Sequence, residues 1–195
     1  TGIDVTGTAD VTLDLNVGGA VKGNAGTRAV SVGVAGSVVG GLQLWSTTAG
    51  TSYVQFGDEA GTAANHYRGY MSYSHANDSM ALGTSGNTKV TVSSAGNVGI
   101  GVVPKVWHSS AAVLQIGSGG SLEASTTNES RVFLQANIYR NASNVASYIA
   151  TDEASQYWQN AGKHIFEVAP SGTADAAISW TTAMTIDNSG NVGIG

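Results

Sequence analysis

The chain has no cysteine. Disulfide staples, thiol nucleophiles and thiolate metal sites are excluded, which leaves stability to burial, with contacts between chains an expected contribution. Charge is nearly as scarce. Lys and Arg number 8 and Asp and Glu 13, which is 11% of 195 residues where soluble domains carry about a quarter. The surface is therefore solvated mainly by Ser, Thr, Asn and Gln, as suits a protein exposed outside the cell. Lys22, Arg28, Arg68, Lys89, Lys105, Arg131, Arg140 and Lys163 stand singly and the net charge is −5. Nucleic acid, which needs clustered neutralisation of phosphates, is not an expected partner. No apolar run is long enough to cross a bilayer, so membrane insertion is not expected either. No basic and then apolar leader opens the chain. With Thr1 in place of Met, the sequence reads as a processed product or as part of something longer.

Proline is also rare, with two residues, while glycine reaches 27 and Val, Ile and Thr are abundant. That balance favours short strands joined by tight turns and predicts an all-β fold with little helix. Alternation of apolar and polar residues marks strands at Asp10–Val17, 51–56, 69–74, 79–82, 113–116, 131–139, 145–150, 164–168 and 184–187. Leu42 and Leu44 share one face of a further apolar stretch. His75-Ala76-Asn77-Asp78 and Asn160-Ala161-Gly162-Lys163 have hairpin chemistry, and Ala169-Pro170-Ser171-Gly172 is expected to break a strand. Ala150 to Ser155 leans weakly toward helix and is too short to hold one alone.

The chain also repeats itself. Lys89 to Gly101, ending Gly96-Asn97-Val98-Gly99-Ile100-Gly101, returns 94 positions later as Ala183 to Gly195, ending Gly190-Asn191-Val192-Gly193-Ile194-Gly195. A duplicated strand, turn and ending marks a modular array and divides the chain into a connector or end of a preceding module at 1–30, a first β module at 31–101 and a second at 102–195. Pro104 stands where the chain leaves one and enters the next.

Ser94 to Gly101 and Asn188 to Gly195 resemble the "SSGNVGIG" ending of bacteriophage tail-fibre proteins, which often stands before a self-cleaving intramolecular chaperone. Ala169-Pro170-Ser171-Gly172-Thr173-Ala174, followed by Ala177 to Asp187, is similar to the "APSGTA…ISFTQAMTLD" segment of the same fibres. The likeness covers roughly residues 40 to 195, and Gly2 to Thr8 is similar to the connector before such modules. It departs at Val102-Val103-Pro104, where the family has Thr-Ser-Pro, and no chaperone residues can be assigned. The resemblance implies two short-strand sandwich or prism modules intertwined or packed as a homotrimeric fibre. It implies an extracellular place on the virion tail and partners among other virion tail proteins and a host cell-surface glycan or protein. The leading expectation is a non-enzymatic structural and receptor-binding segment. The alternatives are a capsid or tail decoration or shaft protein without receptor role and, behind it, a tailspike polysaccharide hydrolase.

Motifs for sharper chemistry are weak. Gly96 to Gly101 runs Gly-x-x-Gly-x-Gly with no helix to follow, the wrong order for a dinucleotide loop, so no cofactor is expected. Asp58-Glu59 and Asp152-Glu153 are adjacent carboxylates, which a strand points to opposite faces, so neither is a catalytic dyad by itself. His66, His75, His108 and His164 lack metal-ligand spacing, and no metal is expected, although one His per chain could meet on a trimer axis. The sequons at Asn77, Asn128 and Asn141 read as chance in a chain rich in Ser and Asn. Aromatics form two groups, Tyr67, Tyr70 and Tyr73 beside His66 and Arg68, and Tyr139, Tyr148, Tyr157 and Trp158. Aromatic faces beside amides hold sugars, and the second group supplies the receptor-binding candidates, to be weighed against plain core packing.

Overall fold

Alternation of small or polar with larger apolar residues runs through most of the chain, and the computed structural model turns it into strands. It describes residues 43–58, 66–127 and 130–195. The expected connector at 1–30, the strand at Asp10–Val17, Leu42, Glu59 and the sequon residues Asn128 and Glu129 lie outside the described residues. The chain divides into Thr1–Gln43 and Leu44–Gly195, and the described strands all belong to the second unit.

These strands are β1 Thr51–Phe56, β2 Gly69–Ser74, β3 Ser79–Thr84, β4 Asn87–Val92, β5 Val98–Ile100, β6 Ala111–Ile116 and β7 Gly120–Ser125. They continue with β8 Arg131–Ala136, β9 Ile138–Arg140, β10 Ala146–Tyr148, β11 Asp152–Asn160, β12 Lys163–Gly172, β13 Thr181–Ile186 and β14 Val192–Ile194. No helix occurs among the described residues. Twelve strands form one sheet in the order β1 to β8, then β11 to β14, and β9 and β10 form a separate pair. Every neighbouring pair in the large sheet is antiparallel except β5 with β6.

The turns follow from local chemistry. Ala161 and Gly162 both have positive φ, 49° and 76°, between the paired Asn160 and Lys163, which is the two-residue hairpin whose twist matches its strands. His75 to Asp78 joins β2 to β3 as the residue types predicted. The expected break at Ala169 to Gly172 does not occur: β12 runs through it to Gly172. Pro170 is tolerated because the pairing with β11 jumps from Ala154–Ala169 to Asp152–Gly172, and β13 reaches only to Val168, so no ladder partner waits for its missing N–H.

The duplicated ending keeps one geometry. Val90–Ile100, Thr91–Gly99 and Val92–Val98 pair as Met184–Ile194, Thr185–Gly193 and Ile186–Val192 do. Both five-residue turns close with the same backbone bonds, Ser93 N–H to Asn97 O at 2.9 Å and Asp187 N–H to Asn191 O at 2.9 Å. Gly96 and Gly190 stand at φ 81° and 85°, where a side chain would be strained.

The two faces of the large sheet differ. On one, alternate residues are buried: Val113 and Gln115, Ser121 and Glu123, Phe133 and Gln135, Ala154 and Gln156. Above the middle strands of this face lie Trp107, from the β5–β6 crossing, and the β9–β10 pair. Their contacts form two small cores, one of Trp107, Ala111, Val113 and Tyr139, the other of Ile138, Tyr148, Ala154 and Ala169. Beneath them a polar row crosses the strands. Ser121 donates to Gln135 Oε1 at 2.8 Å, Gln135 to Glu123 at 3.0 Å, and Gln156 to Glu167 at 2.6 Å. Arg140 Nε meets the buried Glu123 at 3.0 Å.

The other face is apolar and, among the described residues, bare, with its side chains half-buried or exposed. Directly paired residues run Met80, Val92, Val98, Leu114, Leu122, Leu134, Tyr157, Phe166, Met184, Ile194, from β3 to β14 without interruption. Beside them lies a second row of Val54, Met71, Leu82, Val90, Ile100 and Ile116. Leu134 is 61% exposed and Ile194 83%. Such a face exceeds the scattered apolar residues that an ordinary surface carries.

Candidate functional site

The four aromatic candidates do not meet at one exposed patch. Tyr139 and Tyr148 belong to the two cores, which is the packing role the sequence left open beside receptor contact. The β9–β10 pair folds back on the sheet, which turns both rings inward while their hydroxyls keep partners. Tyr139 donates to Asp175 Oδ1 at 2.8 Å, and Tyr148 to the Pro170 carbonyl at 2.6 Å. Burial first, and then the hydrogen bond to Asp175, pushes the Tyr139 phenol above its ordinary pKa. Trp158 is half-buried on the covered face, stacked on Phe133 at 5.2 Å with its indole N–H on Glu167 at 3.0 Å. Tyr157 lies on the bare apolar face against Phe166, with rings 4.8 Å apart, and bonds to His164.

The other tyrosine group divides. Tyr73 turns to the bare face and donates to Asp78 at 2.9 Å, which raises its phenol pKa. Tyr67 and Tyr70 instead line a groove of about 480 Å³ on the opposite face, over β1 to β4. Tyr53, Gln55, Ser72 and Thr88 share it. The register explains the gathering. Tyr53 pairs with Ser72 and Gln55 with Tyr70, so alternate residues of β1 and β2 project to one side. The shift in pairing between Leu82 and Gly83 sets Thr88 opposite Gly83, beside Tyr70. There Thr88 Oγ1 and the Tyr70 hydroxyl lie 2.6 Å apart. Tyr53 is half exposed and its part in the groove escaped the sequence. The available signal was its spacing in an alternating strand whose partner carries Tyr70, which requires the pairing register to be known.

Charged groups elsewhere are tied into structure. Arg68 meets Asp58 at 3.1 Å and Lys105 meets Asp175 at 2.8 Å. Asp187 accepts from the Asn191 side chain and from the backbone N–H groups of Asn191 and Ser189 inside its turn, which lowers its pKa. Asp152 and Glu153 are exposed neighbours on β11. The histidines are dispersed: His75 bonds Ser52, His108 bonds Ser110, and His164 bonds Tyr157. No cluster of three metal-ligating side chains occurs among the described residues. Compared with protein-family models, with curated proteins and with solved structures, the chain matches none.

Proposed function

We propose that the chain is a structural and receptor-binding segment of a bacteriophage tail fibre, held at the virion surface as a homotrimer and attaching to a host-surface glycan or protein without catalysing a reaction. The observation that carries it is the bare apolar face. Each Å² of apolar surface left in water forgoes about 25 cal/mol, and the same face on another copy is a cover of matched chemistry. The number three comes from the resemblance of the Gly-Asn-Val-Gly-Ile-Gly endings and of Ala169 to Asp187 to tail-fibre segments. Attachment by such an assembly is multivalent, because three weak contacts on one particle act together.

The non-catalytic part is supported by the work the described carboxylates already do. Glu123 balances Arg140, Glu167 accepts from Gln156 and Trp158, and Asp175 and Asp187 hold loops. Sedimentation at micromolar concentration is expected to give the mass of three 19.7 kDa chains. A fully folded monomer under those conditions would overturn the proposal.

A further inference from the structure

We infer that the groove over β1 to β4 is a binding site for a neutral saccharide, with Tyr53, Tyr67 and Tyr70 as stacking faces and Gln55, Ser72 and Thr88 as hydroxyl partners. Tyr70 is the best-defined part. A Cβ on Gly83 would fall 2.1 Å from Tyr70 Cε1, so the absence of a side chain there lets the ring lie flat along the sheet. Its hydroxyl, 2.6 Å from Thr88 Oγ1, pins the far end. The ring is thus fixed before any ligand arrives, which removes the ordering cost that weakens binding by loose side chains. An aromatic face held this way suits the C–H side of a sugar ring, while amide and hydroxyl groups meet its hydroxyls.

The groove's volume, about 480 Å³, falls within the range of small-ligand sites and leaves room for a short oligosaccharide. Among the described residues its lining contains no Lys, Arg, Asp or Glu, and the chain carries net charge −5. An anionic glycan would find no counter-charge there, which selects a neutral one. Position adds to this. Tyr53 pairs through Ser72, Ala81, Thr91 and Gly99 to Gln115, so the groove opens on the face that carries the small cores, away from the bare apolar rows. An assembly that buries the apolar face leaves the groove outward. In that respect the inference rests on the receptor-binding proposal and deepens it by naming the ligand class.

The test is saturation-transfer NMR and calorimetry on the full chain. The probes are neutral oligosaccharides of glucose, galactose and N-acetylglucosamine, with sialyllactose as the anionic control. At least one neutral probe is expected to bind, sialyllactose is not, and Tyr53→Ala and Tyr67→Ala are each expected to weaken binding tenfold or more. Both side chains are exposed, so the melting temperature should barely move, and Trp45→Ala should leave affinity unchanged. Gly83→Ala should also weaken binding by lifting the Tyr70 ring. Failure of every neutral probe to bind folded protein, or binding that survives both tyrosine substitutions, overturns the inference. Sedimentation on the same samples separates the two proposals. A trimer that binds no sugar leaves the fibre proposal standing as shaft or decoration, and a monomer that binds sugar leaves the groove standing without the fibre.

Discussion

Asp175 shows how much one exposed carboxylate can organise. Lys105 Nζ lies 2.8 Å from it and 4.8 Å from the centre of the Tyr139 ring, and the Tyr139 hydroxyl donates to the same oxygen. Residues from the β5–β6 crossing, from β9 and from the loop before β13 are thereby tied together. The hydrogen bond from Lys105, and then that from Tyr139, holds the Asp175 carboxyl below its ordinary 3.8. A carboxylate with a depressed folded pKa contributes stability above its unfolded pKa and loses it as pH falls through the folded one. Tyr139 runs the other way. Its raised pKa contributes stability below about 10, lost as pH climbs through the folded value. Denaturant titrations across pH should therefore show Asp175→Asn losing less stability than the parent as pH drops below about 4. Tyr139→Phe should flatten the alkaline limb above about 10. An unchanged acid limb in Asp175→Asn would mean that the tie contributes nothing in solution.

At the scale of elements, the duplicated hairpins have one geometry and two surroundings. After β5 the chain turns back over its own strand. A Cβ on Gly99 would sit 2.2 Å from the Val102 carbonyl and 2.8 Å from the Pro104 ring. Pro104, which the sequence marks as an exit between modules, is buried at this crossing, and β6 then pairs in parallel with β5. Gly193, the counterpart of Gly99, has nothing among the described residues within 4 Å of such an atom, and Val192 and Ile194 beside it are exposed. Gly99→Ala must push backbone aside and is expected to cost about 1–3 kcal/mol or more. Gly193→Ala should stay within about 0.5 kcal/mol. Thermal or denaturant melts of the two variants measure the difference. Equal costs would show that the glycines serve the hairpin itself and not the crossing above it.

At the scale of the whole molecule, the proposed assembly rests on the apolar face. Leu134 and Phe166 lie on the long row across β8 and β12, far in sequence from the groove tyrosines and on the opposite side of the sheet from the small cores. Leu134→Glu or Phe166→Lys introduces a charge that a buried contact between copies could not solvate, at a cost of several kcal/mol per interface. Both variants are expected to sediment as smaller species with lower stability, since assembly and folding are linked by mass action. Oligomers that persist with parental stability would show that another surface joins the chains.

Much was determined by local sequence. Alternation in segments such as Ala111–Ile116 and Arg131–Ala136, turn residues such as Ala161-Gly162, and the repeated Gly-Asn-Val-Gly-Ile-Gly each act within a few residues, so strands, hairpins and the matching endings were legible. Whether an aromatic faces a core, a partner or solvent depends on register and on what crosses above the strand, and neither is written locally. Tyr139 and Tyr148 went inside because β9 and β10 fold back over the sheet. Tyr73 parted from Tyr70 because odd and even residues of one strand face opposite ways. Tyr53 joined Tyr70 because β1 pairs with β2 in the register that places them on one side. The strand through Pro170 likewise survived because β11 bulges and β13 stops short there. Local chemistry named the elements, and the pairing between distant strands chose which side of each residue became a core, a groove or a bare face.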